Sequence, residues 1–126
     1  MNSPSYFEIH VEDINRAITF YSEVFEWRFE IDESIPEEYW RIFTDGSMGG
    51  LLHRHAAAPI GSEYGRNAFV NSMQVEDFDL MSAKIVSNGG KIIVEKFAVP
   101  GKCWQGYFID TEGNSFGLFQ VDESAE

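Results

Sequence analysis

The chain has 126 residues, of which 44% are hydrophobic, and its 21 acidic and 9 basic side chains give a formal net charge of −12. This size and composition predict a single compact domain, and the acidic balance argues against a nucleic-acid partner and against an anionic membrane surface, because both are bound chiefly by Lys and Arg. The lone cysteine, the lack of a signal-like N-terminus and the lack of a long apolar run predict a cytoplasmic protein outside the membrane.

The first half of the chain predicts a strand, a helix and three more strands. Tyr6–Val11 alternates apolar and polar residues, which is typical of a half-buried strand. Asp13 can cap an amphipathic helix that ends near Phe25. An acidic loop and an Asp-Gly turn separate the later strands, which we expect at Trp27–Ile31, Tyr39–Thr44 and Met48–His53.

The second half repeats this order. A strand is predicted at Ala68–Val75, and Asp77 then caps a helix at Phe78–Ser87, which Asn88-Gly89-Gly90 terminates. The predicted segments after the helix are a strand at Lys91–Glu95, a loop at Lys96–Lys102 and a closing hairpin of Cys103–Asp110 and Asn114–Val121. Residues 55–67 lack periodicity and are interpreted as a linker.

Two sequence echoes indicate an internal duplication. Val11-Glu12-Asp13 matches Val75-Glu76-Asp77, and the Gly50-Leu51 pair aligns with Gly117-Leu118. We therefore predict an α+β fold of two βαβββ modules, at residues 5–54 and 68–121, within a single domain of residues 1–126. Two such modules side by side would share a curved, cup-shaped mixed sheet with the helices on the outside. A cup of this kind suits a small molecule.

These patterns resemble the vicinal oxygen chelate superfamily, which includes glyoxalase I, extradiol dioxygenases, and fosfomycin- and bleomycin-resistance proteins. The resemblance covers nearly the whole chain and rests on both Val-x-Asp motifs, on Phe25-Glu26-Trp27 and on the ending Asp110–Gln120. Glu26 departs from the pattern, since many relatives carry glycine there. The resemblance implies the two-module fold, a small-molecule ligand and a possible homodimer.

The resemblance also implies four metal-ligand positions, at Tyr6, Gly50, Val70 and Gly117 in this sequence. Glycine and valine offer no side-chain donor, and neutral tyrosine is a poor substitute for imidazole or carboxylate. We therefore predict neither a metal nor another cofactor. The paired glycines have two interpretations, which are added room for a ligand or a sheet closed by neighbouring side chains.

Strand parity predicts the lining of the cup. Tyr6, Glu8 and His10 would share one face of the first strand, where His10 acts either as a general base with Glu8 or as a polar residue at the rim. The predicted ligand-pocket residues are Tyr6, Glu8, His10, Gly50, Leu52, Val70, Ser72, Gln74, Gly117 and Phe119. Further aromatic side chains could stack on a ligand or fill the core, namely Trp40, Trp104 and Phe108.

An unusual metal site is a further possibility, formed from Glu8, His10, His53 and His55. The parity of His53 argues against it, because His53 shares the side of Leu51, which should face the helix. Cys103 follows Lys102 but lacks the neighbours of a nucleophile, so we interpret it as inert.

Three functions stay open at this point. The favoured one is a metal-free protein that binds a small organic molecule in the cup. The alternative is a lyase, isomerase or dioxygenase-type enzyme that uses His10 and Glu8 or a non-standard metal. The third is a regulatory or partner-binding module with a closed cup.

Overall fold

A computed structural model of the protein describes residues 2, 4–55 and 69–126. The chain forms two compact units that divide between residues 57 and 58. The proposed linker at residues 55–67 lies outside the described residues except for His55. Within the described part of the chain, no helix is long and apolar enough to cross a membrane.

The first unit contains one helix and a four-stranded mixed sheet. Strand β1 is parallel to β4, which in turn is antiparallel to β3, and β3 is antiparallel to the edge strand β2, so the order is β1-β4-β3-β2. The elements are β1 (Phe7–Val11), α1 (Ile14–Phe25), β2 (Arg28–Ile31), β3 (Tyr39–Phe43) and β4 (Met48–His53). The predicted elements of this half are confirmed to within a residue or two at their ends.

Helix α1 begins and ends as its sequence indicates. The Asp13 carboxylate accepts a hydrogen bond from the backbone N–H of Arg16 at 3.0 Å, which satisfies one of the free N–H groups of the first turn. At the other end Glu26 adopts a left-handed conformation with φ of 59°. Glycine takes this conformation without strain, so Glu26 carries a backbone cost at the exit from the helix.

The two faces of the first sheet differ. Ile9, Val11, Ile42 and Leu51 are buried on the side of α1, which contacts β4. Burial of such side chains against a helix contributes roughly 1.5–3 kcal/mol each. The opposite face carries the alternate residues of β1, which are exposed, and it is the face of interest for function.

The second unit repeats the same architecture. Its sheet order is β5-β8-β7-β6, with β5 parallel to β8 and the other pairs antiparallel. The elements are β5 (Ser72–Gln74), α2 (Phe78–Ser87), β6 (Lys91–Val99), β7 (Cys103–Ile109) and β8 (Ser115–Val121). Within the described residues, two helices and two mixed four-stranded sheets confirm the α+β fold and the two βαβββ modules.

Two predictions for this half are wrong in extent. Strand β5 begins only at Ser72, so Val70 precedes the strand. Strand β6 continues to Val99 through the segment expected to be a loop, because it pairs with β7 until Val99 lies opposite Cys103. Register shifts within β6, between Ile92 and Val94 and between Val94 and Phe97, accompany this pairing.

The residues after β8 are tied to the β6–β7 turn by backbone hydrogen bonds. The backbone N–H of Gly101 donates to the carbonyl oxygen of Ala125 at 2.8 Å, and the N–H of Asp122 donates to that of Lys102 at 2.9 Å. Ala125 is buried. The C-terminal segment therefore packs against the turn of the β6–β7 hairpin.

Candidate functional site

The open face of the first sheet carries a line of connected polar side chains. We call it the polar face and define it by Tyr6, Glu8, His10, Tyr39 and Arg41. Tyr6 immediately precedes β1, Glu8 and His10 occupy alternate positions of β1, and the last two come from alternate positions of β3. Period-two alternation places these residues opposite the helix, as predicted for the β1 members.

The hydrogen bonds among these side chains all donate towards the carboxylate of Glu8, either directly or through a tyrosine hydroxyl. The Tyr39 hydroxyl donates to Oε2 of Glu8 at 2.9 Å, so the Tyr6 hydroxyl, 2.8 Å from that of Tyr39, donates to it. The guanidinium of Arg41 donates to the Tyr6 oxygen at 3.3 Å. On the other side of the carboxylate, Nε2 of His10 lies 3.1 Å from Oε1 of Glu8. The chain of donors thus converges on Glu8.

The protonation states follow from this arrangement. The hydrogen bond from His10 is the main cause that lowers the pKa of Glu8, and the Tyr39 hydroxyl adds to it. Burial, followed by the contacts with Tyr6 and Glu8, raises the pKa of Tyr39 above its usual value. At neutral pH Glu8 is therefore an anion and Tyr39 a neutral donor.

Arg41 places a positive charge beside the two tyrosines. Its guanidinium carbon lies 6.0 Å from the Tyr6 ring centroid and 5.8 Å from that of Tyr39, which allows weak cation–π attraction. Its Nε donates to Asp32 at 2.9 Å. Hydrogen bonds from Ser34 are the largest cause that lowers the pKa of Asp32, so this carboxylate stays ionised as a partner for Arg41.

Gly50 makes the position of Tyr39 possible. A Cβ atom at Gly50 would lie 1.8 Å from the Tyr39 hydroxyl oxygen and 2.3 Å from its Cζ atom. Gly50 pairs with Glu8 on β1, so the ring of Tyr39 crosses Gly50 to reach the carboxylate. Glycine is required here for space, since any side chain would occupy the place of the hydroxyl.

The second unit has a corresponding arrangement. By strand register, Ser72 takes the place of Glu8, Gly117 that of Gly50, and Gln105 that of Tyr39. The Nε2 of Gln105 donates to Oγ of Ser72 at 3.3 Å. A Cβ atom at Gly117 would lie 2.1 Å from that Oγ atom and 2.8 Å from that Nε2 atom. Each unit therefore covers its glycine with polar side chains from the neighbouring strands.

These contacts bear on the metal positions that the resemblance implies. In the first unit Gly50 has no donor and its open side is filled by Tyr39, while Tyr6 is engaged as a hydroxyl donor. In the second unit Val70 precedes β5, and Gly117 is covered by Ser72 and Gln105. The residues present do not fit an ion held at those four positions.

The remaining sequence candidates fall into separate places. Leu52 is buried, whereas Gln74 is exposed and Phe119 half-buried. Phe108 lies in the core of the second unit, with its ring centroid 5.7 Å from that of Phe116. Cys103 is half-buried.

The two tryptophans among the aromatic side chains proposed for stacking donate hydrogen bonds to acidic groups. The indole N–H of Trp40 donates to Glu38 at 2.9 Å, and that of Trp104 donates to Asp122 at 3.0 Å. Lys96 lies 4.7 Å from the Trp104 ring centroid. Trp40 alternates with Tyr39 and Arg41 along β3, so it lies on the opposite side of the first sheet from the polar face.

Sequence reasoning missed Tyr39 and Gln105. Both lie on the strand that neighbours the glycine-bearing strand, two residues from the position opposite the glycine. Only the strand register brings them over Gly50 and Gly117. The available signal was a large polar residue at the same alternate position of the third strand in each half.

Comparison with known proteins gives the family. The family model described as Glyoxalase/Bleomycin resistance protein/Dioxygenase superfamily matches residues 3–118. The chain belongs to this superfamily. A glyoxylase-like domain-containing protein of Didymella fabae is 26% identical over 114 residues, which cover 88% of each chain.

Solved structures of the superfamily share the fold at low identity. A genomically encoded fosfomycin resistance protein, FosX, of Listeria monocytogenes superposes with a TM-score of 0.76 at 16% identity, covering 97% of this chain and 95% of that one. A glyoxalase/bleomycin resistance protein/dioxygenase family enzyme of Burkholderia phytofirmans PsJN gives 0.72 at 21% identity, covering 94% and 98%. Another solved structure of that FosX is its E126Q mutant in complex with Mn(II), which matches this chain with a TM-score of 0.69 at 17% identity.

Proposed function

We propose that this superfamily member binds a small organic molecule on the polar face without a metal ion. The observation that carries the proposal is the Glu8 carboxylate, which is held by Tyr39 and His10 while 41% of its side chain stays exposed. Such a carboxylate is preorganised as an acceptor. Preorganisation supports binding because little side-chain freedom is lost when a ligand arrives.

The groups on the polar face indicate the chemistry of the ligand. The Glu8 anion would accept from an N–H or O–H group of the ligand. The ring of Tyr6, which is 43% exposed, offers an apolar surface beside it. We therefore propose a neutral or aromatic molecule that carries a hydrogen-bond donor. The open face of the second unit, with Ser72, Gln74 and Phe119, is a candidate binding surface of its own with neutral polar groups.

A thermal-shift screen of small aromatic and heterocyclic compounds tests this proposal. Compounds that stabilise the wild-type protein with and without EDTA are then titrated into Glu8→Gln and Tyr39→Phe variants. A ligand at a hundred times its Kd stabilises the folded state by about 2.7 kcal/mol. We expect the two variants to bind at least tenfold more weakly, while Glu23→Gln, on the exposed surface of α1, binds like the wild type.

Two results would contradict the proposal. EDTA that abolishes the shift would indicate an ion in the binding site. Equal affinity of the variants and the wild type would show that the ligand binds away from Glu8 and Tyr39. A measurement by titration calorimetry distinguishes these results from a general change in stability.

A second candidate function rests on the pairing of His10 with Glu8. The distance of 3.1 Å between Nε2 and Oε1 lets the carboxylate orient the imidazole. This pair supports a lyase or isomerase-type reaction in which His10 takes a proton from the ligand. Incubation of each identified ligand with the protein, followed by NMR, tests for conversion. Turnover that His10→Ala abolishes would favour the enzyme.

We also propose that the protein acts in the cytoplasm as a homodimer. The lone cysteine supports a reducing compartment, and the superfamily resemblance supports pairing of two chains. Sedimentation equilibrium tests the pairing. A mass of one chain, about 14.4 kDa, across the concentration range would contradict it.

A further inference from the structure

The first unit has a second cluster of chemically competent side chains, away from the polar face. It consists of Glu12, His53 and His55, which we call the His-His-Glu cluster. One ligand atom from each residue lies within 4.8 Å of the others. Nδ1 of His55 is 3.4 Å from Oε2 of Glu12, and the two imidazole ring centroids are 4.8 Å apart at an interplanar angle of 86°.

The backbone explains why these residues meet. Strand β4 ends at His53, which lies opposite Val11 on the parallel strand β1. The N–H of Arg54 donates to the carbonyl oxygen of Val11 at 3.0 Å, so the pairing extends one residue beyond the strand. His55 consequently lies next to Glu12, the residue that follows β1.

The extended backbone also places the side chain of Arg54 on the other side of the chain from His53 and His55. Consecutive residues of an extended chain point to opposite sides, so His53 and His55 share a side that Arg54 does not. Arg54 instead forms an ion pair with Glu37 at 2.9 Å. The Arg54 guanidinium therefore lies on the other side of the chain from the two imidazoles and is engaged by Glu37.

This cluster differs from the metal site suggested by the sequence, which joined His53 and His55 to Glu8 and His10. Glu8 lies opposite Gly50 on the polar face, whereas His53 has the parity of the fully buried Leu51 on the helix side. The histidines therefore reach Glu12 and not Glu8.

We propose that the His-His-Glu cluster binds a first-row divalent cation such as Zn²⁺. Bonds of about 2.0–2.1 Å to nitrogen and oxygen place tetrahedral ligand atoms about 3.3 Å apart. The cluster must contract from 4.8 Å, and because all three side chains are exposed, rotation about their side-chain bonds supplies that movement. Water would complete the coordination shell.

The donor set decides which ions fit. Imidazole with one carboxylate suits Zn²⁺, Co²⁺, Ni²⁺ and Cu²⁺, while Mg²⁺ and Ca²⁺ require several oxygen ligands. A bound ion would link the end of β4 to the connection between β1 and α1. This site is independent of the proposed small-molecule function, since it shares no residue with the polar face.

Titration with ZnCl₂ in a non-chelating buffer, monitored by calorimetry and by NMR of the imidazole resonances, tests the proposal. The chain has three histidines, so the third, His10, serves as an internal reference. We expect one Zn²⁺ per chain and shifts at His53 and His55 alone. Each of Glu12→Gln, His53→Ala and His55→Ala should weaken binding at least tenfold, while Glu26→Gln should not.

The competing outcomes are distinct. Zn²⁺ that shifts the His10 resonance and is lost in His10→Ala would place the ion on the polar face and overturn the proposal. Equal affinity in wild type and cluster variants would overturn it as well. Circular dichroism of each variant excludes misfolding as the cause, and MgCl₂ at the same concentration should produce no shift.

Discussion

Replacement of Gly50 by alanine is the sharpest test of the packing on the polar face. The new Cβ atom would lie 1.8 Å from the Tyr39 hydroxyl oxygen, whereas ordinary contacts begin at 3.4 Å. The ring must therefore move by about 1.6 Å at its tip, the difference between the two distances. Such a displacement breaks the hydrogen bonds to Tyr6 and Glu8, whose lengths are 2.8 and 2.9 Å.

The expected cost combines overpacking with the lost bonds. Overpacking of a well-packed site costs about 1–3 kcal/mol, and a hydrogen bond to a charged group contributes about 1.5–3 kcal/mol when it is not replaced by water. Because Glu8 is partly exposed, water replaces part of that loss. We therefore expect Gly50→Ala to lower the free energy of unfolding by about 2–3 kcal/mol. Gly46→Ala is the control, since a Cβ there meets nothing within 4 Å.

A double-mutant cycle by urea denaturation identifies the cause. In a Tyr39→Ala background the ring is gone, so Gly50→Ala should be neutral or slightly stabilising, because alanine loses less backbone entropy than glycine by about 0.5–1 kcal/mol. The two substitutions should then couple by about 2 kcal/mol or more. An equal cost of Gly50→Ala in both backgrounds would refute the reasoning, as would no cost in the wild type.

Three further predictions follow from single contacts. Asp13→Ala and Asp77→Ala should each lower the free energy of unfolding by about 1 kcal/mol in urea denaturation, because each carboxylate caps a helix; equal stability to the wild type would contradict this. The pKa of Glu8 is lower in the folded protein, so the ionised carboxylate stabilises the folded state above about pH 4.5, and this stabilisation is lost as the pH falls. The difference in urea midpoint between wild type and Glu8→Gln should therefore narrow from about pH 7 to about pH 3. A constant difference across this range would contradict the prediction. Asp110→Ala should cost about 1–3 kcal/mol, because this buried carboxylate accepts from two backbone N–H groups at 2.8 and 2.9 Å, and a loss under 0.5 kcal/mol would show that water replaces it.

Local signals in the sequence were sufficient for most of the fold. The carboxylates of Asp13 and Asp77 mark both helix starts, and alternation marks β1, because these features depend on residues close together in the chain. The sequence prediction ended β6 too early because the rest of this strand depends on a distant partner. Its extension past Glu95 depends on pairing with β7, and Lys96 and Phe97 gave no regular alternation.

The candidate site was predictable only in part. Tyr6, Glu8 and His10 follow from parity within one strand, and the structure joins them through hydrogen bonds. The contribution of Tyr39 needed the register between β3 and β4, which no local pattern contains. The grouping of His53 with Glu12 likewise depends on where the parallel pair β1–β4 ends.

The contact between Tyr39 and Gly50 also restricts how this protein can change over evolutionary time. Histidine or glutamate at position 50 would meet the tyrosine ring before it could offer a ligand. A ligand at position 50 therefore requires a smaller residue at position 39 as well, so no single substitution at position 50 would suffice.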